Sequence, residues 1–253
     1  MIAATPSTAR GAQASGIVSR PGLAASSTLA PDLLSAAGTI RPPLLSGLLV
    51  TLPVFIQAPW VRLAPFSAAA FTAVLLATAL LLARSQDPGR RRAGELLVGF
   101  CGSWLAGALF WGWARLHPVC HLPLEAFALP LALAGLRSRW RLACGFYLGS
   151  LLGTAATDGA IALTGLMPLW PQALAASTQQ AGALLGLGAQ AVLRPGSLLV
   201  VAAMAATLIQ ISRWCWRQGA TGRVAAAALS TTLAVDGLFL ALALLAPRLS
   251  GLI

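Results

Sequence analysis

Residues 66–83 form a run of 18 positions without a charged side chain, bounded by Arg62 and Arg84. A helix of that length is roughly 27 Å long, close to the hydrocarbon thickness of a bilayer. No water is present in that layer to satisfy backbone N–H and C=O groups. The segment must therefore close its hydrogen bonds on itself, as a helix. Comparable apolar runs occupy 44–60, 94–114, 118–136, 142–165, 196–212 and 224–246. A chain written this way is an all-α polytopic transmembrane helix bundle. Of its 253 residues, 58% are hydrophobic and 9% charged, against about 25% charged in soluble domains.

The net charge is +11, and all 17 basic residues are arginine. They sit between the apolar runs, where the positive-inside bias accounts for them. The expected partner is therefore the lipid bilayer, with other membrane protein subunits as a second class, and not nucleic acid. Residues 166–193 are ambiguous, since Pro168, Trp170, Pro171, Gln172, Gln179, Gln180 and Gln190 interrupt the apolar pattern. If this segment stays on one surface, there are about seven spans, with 13 arginines on one side and 4 on the other. If it crosses, the split falls to 12 against 5. The first arrangement is expected: N-terminus inside, C-terminus outside, and an outer amphipathic or re-entrant helix near 172–193. Trp60, Trp111, Trp113 and Trp170 then form an outer aromatic belt, and Trp140, Trp214 and Trp216 an inner one. Residues 1–41 are rich in Ala, Ser, Thr, Gly and Pro and read as a disordered, low-complexity tail. Residues 42–253 are the transmembrane domain.

Three carboxylates fall inside spans: Glu125, Asp158 and Asp236. Ionisable groups at membrane depth face the bundle interior and mark functional sites. Counted from the outer ends of their helices, all three lie roughly 10–15 Å deep. Two of them share a local pattern: Thr154 and Asp158, then Thr232 and Asp236, are each a Thr four residues before an Asp-Gly pair. His117, His121 and Glu125 follow at i, i+4 and i+8, one face of a helix. That spacing makes them the candidate metal ligands, although they match no zinc signature. A proton relay through Glu125 and His121 needs no fixed metal geometry. No metal or other cofactor is expected. Cys101, Cys120, Cys144 and Cys215 show no zinc or disulfide spacing. Glu95 is read as a first-turn residue stabilised by the helix dipole. Gly145, Gly149 and Gly153 make a stripe that admits a second backbone.

The phrases Leu-Pro-Val-Phe-Ile-Gln-Ala-Pro-Trp-Val-Arg62, His-Leu-Pro-Leu-Glu-Ala-Phe-Ala-Leu-Pro130, Leu-Thr-Gly-Leu-Met-Pro-Leu-Trp-Pro171 and Val-Asp-Gly-Leu-Phe-Leu-Ala241 resemble a cyanobacterial family of multispanning membrane proteins, classed as a domain of unknown function. The resemblance covers residues 44–253. It implies the plasma or thylakoid membrane of a photosynthetic bacterium, and no activity. From the residues themselves, the first reading is a small-solute or ion transporter using Glu125, Asp158 and Asp236, with His121 and Thr154 in binding or proton relay. The alternatives are a structural or assembly factor for a membrane complex, and an intramembrane metal-dependent enzyme. No nucleophile triad, phosphate loop or nucleotide fingerprint is present, which weighs against an enzyme.

Overall fold

The computed structural model describes residues 41–246; the expected tail before Arg41 lies outside the described residues. Nine helices follow in order: α1 (Pro42–Leu63), α2 (Pro65–Ala83), α3 (Pro88–Ala114), α4 (Pro118–Gly135), α5 (Arg141–Leu163), α6 (Leu169–Ala175), α7 (Thr178–Val192), α8 (Pro195–Trp216) and α9 (Gly219–Leu245). Six of them, α1–α4, α8 and α9, are long and apolar enough to cross a membrane. The all-helical expectation holds. Helix α5 is also long, at 23 residues, but its Gly, Ser, Thr, Tyr and Asp residues dilute its hydropathy. It packs among other helices, and ten of its residues are buried. Helix α8 has none buried.

Side-chain contacts fix how the helices run. Gly99 and Phe100 of α3 meet Ala143 and Phe146 of α5. Gly145, Gly149 and Gly153 of α5 meet Thr221, Ala225 and Thr232 of α9. Ser46 of α1 bonds Val224 O of α9 at 2.8 Å, and Phe55 stacks on Phe239. Residue numbers rise together in every pair, so α1, α3, α5 and α9 are parallel. Helix α2 runs the other way. Gly94 of α3 abuts Ala79 and Ala83 of α2, while Trp104 donates to Ala68 O at 2.9 Å. Leu49, Leu96, Phe100, Trp104, Leu142, Phe146, Val224 and Ala228 form the main core inside this parallel set.

Several boundaries differ from the sequence expectation. Asp87 accepts from the amides of Gly89 and Arg90, both at 3.1 Å, and Pro88 takes the first helical position. This cap starts α3 six residues earlier than expected and makes Arg90–Arg92 helical. Glu95 is therefore not in the first turn. The Arg90 and Gly89 amides also hold the exposed Asp87 carboxyl below the usual carboxylate range. Helices α8 and α9 likewise extend into 213–223, leaving a turn closed by Gly219 at φ 76°. Pro53 does more than kink α1: the chain widens to an i→i+5 turn over Pro53–Gln57, with Ala58 N–H bonded to Pro53 O. Segment 166–193 is two helices. The longer one, α7, has 15 residues, roughly 22 Å, too short to cross.

Candidate functional site

The glycine stripe draws α5 against α9. A Cβ at Gly149 would lie 2.5 Å from the Ala225 carbonyl oxygen and 2.8 Å from its Cα. Only a hydrogen fits there. Two turns further on, this contact delivers Thr157 to Asp236, with Oγ1 and Oδ2 2.6 Å apart. The same hydroxyl lies 3.1 Å from Gly153 O. One hydroxyl hydrogen cannot serve both acceptors. An ionised Asp236 accepts from Thr157. A protonated Asp236 donates to Thr157, which then donates to Gly153 O.

Helix α4 supplies the second part. It is not the continuous helix expected from the sequence. Pro118–Cys120 is a 3-10 turn, His121–Glu125 a short α-helix, and Leu129–Gly135 another, with a turn between them. Prolines explain this: Pro118, Pro123 and Pro130 each lack an N–H, and Pro130 opens the last piece. Tyr147 of α5 holds the break. Its hydroxyl donates to Glu125 O and accepts from Ala128 N at 3.1 Å. Tyr147 thus pairs with the Glu125 carbonyl and not its carboxylate. Tyr147→Phe is expected to leave two backbone groups without this partner and cost about 1–3 kcal/mol. Faster amide hydrogen exchange at Ala128 would register it.

With the break in place, His121 turns toward α5. Its Nδ1 is 3.0 Å from both Oδ1 and Oδ2 of Asp158. A carboxylate only accepts, so it assigns the proton to Nδ1 and leaves Nε2 as the acceptor of a neutral ring. It is the one imidazole–carboxylate pair among the described residues, and it is an ion pair only when the ring is protonated.

The residues singled out from the sequence meet in one place. Glu125, Asp158, Asp236, His121 and Thr154 all line a single cavity of about 300 Å³. Thr232 lines it too, so both Thr–Asp pairs face the same space. Glu125 and Asp158 are buried. Phe100 and Phe146 lie toward the N-terminal ends of the parallel helices. At the opposite end His121 packs on Phe110 at 4.3 Å, and Trp111 stacks on Trp170 at 5.8 Å. Trp170 is held by its indole N–H, which donates to Arg115 O at 2.9 Å.

One residue escaped the sequence reading. Gln57, fully buried in the widened turn of α1, lines the cavity. Its Nε2 donates to Trp104 O at 2.5 Å, and its Oε1 has no partner among the described residues. A glutamine among apolar neighbours carries no spacing signal; the nearby Pro53 is the only sequence hint. His117 stands apart. It precedes the 3-10 turn, is exposed, and does not line the cavity. The helical face expected for His117, His121 and Glu125 is therefore not formed, because Pro118 ends its register. No three His, Cys, Asp or Glu residues among those described are grouped to hold a metal ion.

No curated protein and no solved structure matches the chain. A family match extends over residues 46–244, from α1 to the end of α9, and includes every residue lining the carboxylate cavity. That coverage is most of the chain, and the chain belongs to the family described as protein of unknown function DUF3120.

Proposed function

We propose that this membrane protein is a transporter of a small cation or amine-bearing solute, coupled to proton movement through its buried carboxylates. The observation that carries the reading is the convergence of Glu125, Asp158 and Asp236, from three helices, on one cavity. Its lining is rich in acceptors: three carboxyl groups, Gln57 Oε1 and the hydroxyls of Ser103, Ser150, Thr154 and Thr232. A cation or a protonated amine suits such a set, and the volume suits a small ligand. The Thr157 hydroxyl accommodates Asp236 with or without its proton, which a coupling site requires. The parallel helices and the broken α4 resemble devices that transporters use at membrane depth.

The reading includes seven spans, with α5 as the one shielded from lipid, the N-terminus inside and the C-terminus outside. The 13-to-4 arginine split supports that orientation. Trp111 and Trp170 then cover the cavity on the outer side. The sequence resemblance adds a photosynthetic bacterium's plasma or thylakoid membrane as the setting.

Reconstitution tests the proposal. Purified chain in liposomes is supplied with labelled methylammonium or rubidium, and a trapped dye reports internal pH. Uptake of at least one probe with proton movement is expected. Asp236→Asn and Glu125→Gln should each reduce it about tenfold or more, a loss of about 1.4 kcal/mol in barrier terms. Full uptake by both variants would reject the reading.

A further inference from the structure

A second cavity, of about 1060 Å³, opens where the N-termini of the four parallel helices meet. Arg41 precedes α1, Arg91 and Arg92 lie in α3, Arg139 in the turn before α5, Arg141 at the start of α5 and Arg223 in α9. All six line this cavity. The positive ends of four helix dipoles add to their field.

Among the described residues, the acids near this cavity are too few to neutralise them. Of its six carboxylates, Glu125, Asp158 and Asp236 are committed to the other cavity, and Asp87 caps α3. Glu95 lines the arginine cavity. Asp32 lies outside the described residues. Among the described residues, one carboxylate thus shares the cavity with six arginines. The positive-inside bias explains arginines at this end but not their enclosure of one space. Arg84, Arg90, Arg137, Arg213 and Arg217 share the flanking segments and do not line it.

We propose that this cavity binds an anionic phosphate group. Guanidinium forks match phosphate oxygens two at a time. Leu44, Leu142 and Trp216 supply an apolar wall beside them. The phosphate belongs either to an anionic lipid headgroup or to a soluble phosphorylated molecule. The site stands independently of the transport reading, since it rests on different residues and a different cavity.

The test uses the purified full chain in neutral detergent, with tripolyphosphate as one probe and phosphatidylglycerol in mixed micelles as the other. Phosphatidylcholine micelles and sodium chloride of equal ionic strength are the controls. At least one phosphate probe is expected to raise the melting temperature beyond both controls. Response to the lipid alone assigns a headgroup; response to tripolyphosphate assigns a soluble ligand. The triple variant R91Q/R139Q/R141Q should bind the active probe at least about tenfold more weakly. The variant R84Q/R90Q/R137Q loses the same charge outside the cavity and should bind like wild type. If the first triple variant does not fold, Arg139→Gln alone, in a turn, should show a smaller weakening in the same direction. No shift with either probe, or equal weakening in both triple variants, overturns the proposal.

Discussion

Gly149→Val is expected to separate α5 from α9 and cost about 3 kcal/mol. The obstacle is backbone: the added Cβ meets Ala225 O and Cα, which cannot rotate aside as a side-chain tip can. Relief requires moving one helix, and moving it breaks the Thr157–Asp236 contact further along the same interface. The same helices carry suitable controls. Gly159→Ala meets only the flexible end of Met204, and Gly237→Ala meets nothing within 4 Å. Thermal unfolding in detergent should show a large drop for Gly149→Val and near-wild-type values for both controls. A drop of equal size at Gly237, where Ala gains helix propensity and meets nothing, would mean that close approach is not what is being measured.

His121→Ala is expected to be the most damaging change in the carboxylate cavity. It removes the one group that pairs with Asp158, and a buried carboxylate left alone costs about 3–5 kcal/mol. Asp158→Asn alone removes the charge and should cost less. In the double variant His121→Ala/Asp158→Asn no orphan charge remains, so part of the loss from His121→Ala should return. A double-mutant cycle on unfolding free energies measures this, with a coupling of about 1–3 kcal/mol expected. Strict additivity would show that the 3.0 Å contact contributes nothing.

What could be read from the sequence follows from which signals are local. Apolar runs announced the helices because a bilayer demands continuous hydrophobicity. The spacing of Gly145, Gly149 and Gly153 announced a close helix contact, and the repeated Thr–Asp pattern marked two residues that do share a cavity. Features made by capping and by long-range contact were hidden. Asp87 and Pro88 lie outside the apolar runs, yet together they begin a helix. Tyr147 gave no sign of bridging the break in α4, since its partners are backbone groups 22 and 19 residues away. Helix α5 looked like an ordinary span, although its weaker hydropathy was a trace of its central position. Gln57 was invisible because its role depends on a turn that Pro53 widens.

The parallel arrangement also constrains the order of assembly. Helix α9 is made after the other eight described helices, yet it supplies walls to both cavities, Asp236 and Thr232 in one, Arg223 and Ala220 in the other. Ser46 must wait for Val224, 178 residues downstream. Contacts this distant in sequence form late, because the intervening chain must first be confined. A nascent chain holding α1 to α8 would carry a lipid-exposed Ser46 and an open flank on α5. Completion of α9 is therefore the event that converts a row of inserted helices into a closed protein, and shortened chains ending before Gly219 should be recognised by membrane proteases as unfinished.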